Sequence, residues 1–88
     1  MFIKVKSVEP LQNMILRVTF ENGVIKQYDV KPLTERIDEF KALFNNEIFR
    51  NVKTDLGGYG ISWNDFVDLE CTELWENGIA ESDLREAG

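Results

Sequence analysis

Eighty-eight residues, 43% of them apolar and 11% aromatic, supply one small hydrophobic core and no second. Ten Lys and Arg against sixteen Asp and Glu leave a net charge of −6, and the chain has no histidine. That composition excludes Ser-His-Asp and Cys-His catalysis, removes the commonest metal ligand, and disfavours binding to phosphate backbones, which takes clustered Lys and Arg.

The charge is unevenly placed. Residues 1–63 carry nine basic and eight acidic side chains, whereas residues 64–88 carry Arg85 against eight carboxylates. A near-neutral domain therefore runs into an acidic C-terminal quarter. No run approaches the ~20 apolar residues of a membrane-spanning helix, and no signal-peptide pattern opens the chain. Cys71 has no second cysteine to pair with, which places the protein in a reducing, cytoplasmic compartment.

In chain order, residues 2–9 alternate imperfectly and read as a strand that Pro10 stops. Leu11, Gln12 and Asn13 turn the chain into a hairpin centred on Asn22-Gly23. A two-residue Asn-Gly loop would pair Phe20 with Ile25 and Leu16 with Asp29, mixing apolar and polar partners on one face. A three-residue loop, Glu21-Asn22-Gly23, instead pairs Phe20 with Val24, Val18 with Lys26, Leu16 with Tyr28 and Met14 with Val30. Because a one-residue slip exchanges the buried and wet faces, the more apolar pairing decides for the three-residue loop, with Gly23 at positive φ.

From residue 33 to 44 the apolar period changes to that of a helix, through Leu33, Ile37, Phe40, Leu43 and Phe44. Thr34 is the expected N-cap, and Asp29 is expected to fix the preceding corner through nearby amides. Asn46 then caps a second short helix carrying Ile48 and Phe49. Residues 52–55 and 59–63 read as a second hairpin through Leu56-Gly57-Gly58, and Gly60 marks a bulge or a close backbone approach. After Asn64-Asp65, residues 66–69 lead into a short helix at about 72–76 that Asn77-Gly78 ends. The expected fold is α+β: an antiparallel meander of three strands, a helical pair, a second β-hairpin and a short C-terminal helix. Residues 1–78 form the domain, and residues 79–88 an acidic tail that frays.

Several of these segments together resemble the domain-of-unknown-function family numbered 2442. They are Val8-Glu9-Pro10-Leu11, Phe20-Glu21-Asn22-Gly23, the corner Tyr28-Asp29-Val30-Lys31-Pro32-Leu33, then Phe40, Leu43, Phe49, Val52, Trp63, Asp68-Leu69 and Leu74-Trp75. The chain departs from the family pattern at Asn64-Asp65-Phe66, where Pro-Asn-Gly is usual, and at Cys71, where Pro is usual. The resemblance implies no activity. It implies a partner-binding or regulatory module, of toxin–antitoxin type, whose partner is a small protein encoded nearby. Some relatives carry a helix-turn-helix domain; no such segment occurs in this sequence.

Candidate sites are few. Cys71 lies among Glu70, Thr72 and Glu73, an anionic setting that dulls a thiol. Asp65, Asp68, Glu70 and Glu73 lack the order of a calcium loop, and Gly57-Gly58-Tyr59-Gly60 lacks the Lys-Ser/Thr and the helix of a phosphate loop. No catalytic residue, metal or cofactor is expected, and the protein is not expected to be an enzyme. The best candidate is a partner surface of Tyr59, Trp63, Phe66 and Trp75 with Asp65, Asp68, Glu70, Glu73 and Glu76, in which aromatics anchor and carboxylates select a basic protein. The competing structural role is that these aromatics pack helix against sheet. Two other functions stay open: a small-ligand sensor, which requires a concave apolar pocket, and an acidic inhibitor imitating nucleic acid. Self-association would use the edge of the first strand.

Overall fold

The computed structural model describes residues 2–87, so Met1 of the expected domain and Gly88 of the expected tail lie outside the described residues. It is an α+β fold built on two antiparallel sheets. Strands β1 (Val5–Pro10), β2 (Ile15–Phe20) and β3 (Ile25–Asp29) form the meander. The β2–β3 pairing places Leu16 against Tyr28 and Val18 against Lys26. Phe20 N–H donates to the Val24 carbonyl at 2.9 Å, and Val30 N–H to the Met14 carbonyl at 3.0 Å. This is the register of the three-residue loop. Gly23 sits at φ 90°, in the left-handed region that a side chain resists, and the Asn22 carboxamide accepts the Val24 N–H at 3.0 Å. The imperfect alternation of the first strand has a physical origin: the pairing with β2 shifts between Val5 and Ser7, so that Val5 and Val8 oppose Phe20 and Val18 on the same face.

At the end of β3, Asp29 Oδ1 accepts the Lys31 N–H at 3.0 Å and turns the chain into α1 (Lys31–Arg36), with Pro32 in its first turn. Thr34 is not the cap. It lies inside α1, buried, with its hydroxyl donating to the Lys31 carbonyl at 2.6 Å. The single expected helix over residues 33–44 is interrupted, because Ile37 is extended (φ −130°, ψ 112°) and residues Asp38–Phe44 follow as a 3-10 segment. Leu33, Phe40 and Leu43 are buried, whereas Ile37 and Phe44 are exposed. Asn45, one residue earlier than expected, caps α2 (Asn46–Phe49) by accepting from Glu47 N–H and Ile48 N–H.

The second sheet has three strands in the order β4 (Lys53–Thr54), β5 (Gly60–Asn64) and β6 (Val67–Glu70). It is the expected hairpin with one strand added. Gly60 marks a close approach: a Cβ there would lie 2.5 Å from the Leu69 carbonyl oxygen. β6 feeds α3 (Cys71–Asn77), which closes with Gly78 N–H on the Leu74 carbonyl at 3.0 Å. The expectation of a frayed tail from residue 79 is corrected. β7 (Ile79–Ala80) pairs with β3, and α4 (Glu81–Ala87) follows. Glu81 holds this segment down: Arg17 Nη2 donates to Glu81 Oε1 at 2.8 Å, Arg17 Nε lies 2.8 Å from Oε2, and Gln27 donates to Oε2 at 3.0 Å. Composition alone did not show that an acidic residue had a basic partner 64 positions away. One buried cluster serves both sheets, joining Leu16, Val18, Phe20 and Tyr28 to Phe40, Phe49, Ile61, Trp63, Leu69 and Leu74.

Candidate protein-interaction surface

The nine candidate residues divide into three groups. Trp63 belongs to the core: it is 8% exposed, its indole N–H donates to the Phe49 carbonyl at 2.9 Å, and it packs on Phe40 and Phe49. Strand alternation carried that information, since Ile61 and Trp63, and Val67 and Leu69, all point inward. Trp75 and Glu73 are half-buried structural groups. Trp75 meets Phe20 edge-on and carries the Lys26 ammonium 3.9 Å above its ring, while Lys26 also donates to the Trp75 carbonyl. Glu73 accepts from the Tyr28 hydroxyl at 2.7 Å and from Asn77 at 2.9 Å.

The rest reach solvent. Phe66 is 82% exposed, at the turn between β5 and β6. That turn is rigid by construction: Asn64 Oδ1 accepts both the Phe66 N–H at 2.8 Å and the Val67 N–H at 3.0 Å. Asp65 lies beside it in the turn, and Asp68 and Glu70 follow along β6, all exposed. Asp68 and Glu70 stand two residues apart in one strand, so both project from the outer face of the sheet. Glu76 is exposed on α3. Tyr59 is exposed in a separate group, where Phe2 meets its ring edge-on and the Lys4 ammonium lies 4.9 Å over it. It joins β4 to β5 at the opposite end of the sheet from Phe66.

A second feature was not expected from the sequence. An open groove of about 290 Å³ lies between the Asp29–Pro32 corner and α3, lined by Leu33, Arg36 and Asn77 among others. The Tyr28 hydroxyl borders it, and its pKa is raised above 10.0, first by burial and then by its hydrogen bond to the Glu73 carboxylate. Among the described residues, no group of three or more Cys, Asp or Glu is placed to hold a metal ion. No helix among them is long and apolar enough to cross a membrane.

Fold and surface define a small α+β domain with a continuous core and an acidic, aromatic-tipped strand at one edge. The chain belongs to the family described as a protein of unknown function, DUF2442, which matches residues 5–80. A crystal structure from Nitrosomonas europaea, of a protein provisionally named as DNA-binding, is 27% identical with a TM-score of 0.65. The alignment covers 74% of this chain and 42% of the other, so this chain matches less than half of that protein's length. No curated protein matches the sequence.

Proposed function

We propose that this domain is a non-catalytic, cytoplasmic interaction module that binds a basic protein partner, in a regulatory or antitoxin-like role. The observation that carries this reading is Phe66, 82% exposed on a turn locked by Asn64. Burying that ring against a partner is favourable, and a braced display spares part of the entropy of ordering it on contact. Asp65, Asp68 and Glu70 set the polar rim around that anchor and favour Lys and Arg on the other side. DNA binding stands in the name of the Nitrosomonas protein, and a net charge of −6 disfavours it for this chain.

The test is a native pull-down with the tagged domain, followed by co-expression with the protein it recovers. The expected result is a complex that weakens as salt is raised. Phe66→Ala should lower its affinity by about 10- to 100-fold without moving the urea midpoint of the free domain. A complex indifferent to Phe66→Ala and to Asp68→Lys overturns the proposal. Displacement of the domain by DNA would assign it to nucleic-acid imitation instead.

The groove beside Tyr28 supports a second reading, a small-ligand sensor. Polar groups of Arg36, Asp29, Glu73 and Asn77 line it together with apolar Pro32 and Leu33. A metabolite screen by thermal shift, repeated with Arg36→Ala, tests it; no stabilising ligand, or one indifferent to Arg36, removes this reading.

A further inference from the structure

We propose that the outer edge of β6 is a strand-docking site, which takes an extended segment of the partner with basic residues at alternate positions. This rests on the interaction reading above and adds how the partner is held. Backbone geometry comes first. Cys71 N–H donates to the Tyr59 carbonyl at 2.8 Å, and the ladder continues with Gly60 opposite Glu70, Ile61 opposite Leu69 and Ser62 opposite Asp68. In an antiparallel ladder, hydrogen-bonded and non-bonded pairs alternate. Cys71 and Leu69 therefore bond inward to β5, and the main-chain groups of Asp68 and the N–H of Glu70 point away from the sheet. Among the described strands, β6 pairs with β5 alone.

Among the described strands, the other sheet edges are shorter or less regular. β1 is interrupted by the shift between Val5 and Ser7 and ends in Pro10, which has no N–H to give. β4 and β7 are two residues long, and β4 lies beside β1. β6 is four residues long, and the irregularity in its ladder falls on β5, between Ser62 and Asn64. Among the described strands, β6 thus offers the most regular edge, and Phe66 stands at its end.

Charge then selects the occupant. A second copy of β6 would set Asp68 and Glu70 against the same carboxylates, and like charges directly across a strand pair repel. An incoming strand with Lys or Arg at positions i and i+2 puts cations opposite both carboxylates on the outer face, while its main chain pairs with Asp68 and Glu70. The self-association through the first strand that the sequence suggested would meet the shift between Val5 and Ser7 and the missing N–H of Pro10.

Amide exchange followed by NMR tests this on the full chain, with a seven-residue peptide of alternating Lys and Val as probe and an alternating Glu and Val peptide as control. The basic peptide should slow exchange at Asp68 and Glu70 by about tenfold or more; the acidic peptide should not. Glu70→Gln removes the charge alone. Glu70→Pro also removes the outward N–H, at a residue whose φ of −77° proline accepts without strain. Affinity for the basic peptide should fall further in Glu70→Pro than in Glu70→Gln, by about another tenfold. Equal affinity of the two variants, or peptide binding without protection of Asp68 and Glu70, overturns the edge site. Loss of the natural partner in Phe66→Ala but not in Glu70→Pro would refute strand docking while leaving the interaction module standing; peptide protection with no natural partner bound would do the reverse.

Discussion

Trp63 and Phe66 are three residues apart, and their opposite fates follow from where the ladder ends. Trp63 falls on an inward position of β5 and finds a carbonyl for its indole N–H, whereas Phe66 falls in the turn, where alternation no longer applies. A similar local choice governs Tyr28, whose ring fills the core while its hydroxyl reaches the Glu73 carboxylate at 2.7 Å. Burial and that bond favour the neutral phenol, raising its pKa from an unfolded value of 10.0. A pKa raised on folding means a contribution present in full below pH 10 and lost as the pH rises above it. Tyr28→Phe should therefore cost about 1 kcal/mol at pH 8, and the gap between wild type and variant should close as the pH passes 10. Urea midpoints of the two proteins across that range check this; a gap that stays constant would mean the phenol contributes no proton linkage.

At the level of elements, the last strand and helix are fastened to the meander by few groups. β7 makes two residue pairs with β3, Lys26 with Ala80 and Gln27 with Ile79. Arg17 and Gln27 add the ties to Glu81, and Glu81 is largely buried against Arg17, which lifts the Arg17 pKa further through that bond. So short a strand has little stability of its own. Arg17→Ala should speed amide exchange at Ile79 and Gln27 by about tenfold and leave the β2–β3 ladder, including Leu16 and Tyr28, unchanged; uniform acceleration throughout would show that β7 opens with the whole domain. What the sequence made legible divides along the same line. The register of β2 and β3, the corner at Asp29 and the ends of α3 are set by neighbours in sequence, and residue patterning showed them. The break at Ile37, the third strand of the second sheet and the pairing of Ile79 with Gln27 are set by contacts distant in the chain, and local pattern is silent on them. The candidate surface divides in the same way: alternation turns Trp63 inward and Asp68 and Glu70 outward, and the turn exposes Asp65 and Phe66, whereas the packing of Trp75 on Phe20 is a long-range contact.

Across the whole molecule, two sheets share one core. Phe20 and Tyr28 of the first sheet and Ile61 and Leu69 of the second belong to the same buried cluster, with Leu74 of α3 among them. Neither sheet has a second apolar layer of its own, so neither buries enough surface to offset its ordering entropy when separated. The two tryptophans report on the two halves. Trp63 lies in the second sheet against Phe40 and Phe49, and Trp75 on α3 stands edge-on to Phe20 of the first. Trp63→Phe and Trp75→Phe each leave one reporter, and within each variant the tryptophan fluorescence should follow the same urea transition as the far-ultraviolet circular dichroism. The comparison is made within a variant, so any destabilisation by the substitution shifts both signals together. Fluorescence of Trp63 that changed at lower urea than the dichroism would show the second sheet, and with it the edge of β6, opening before the meander.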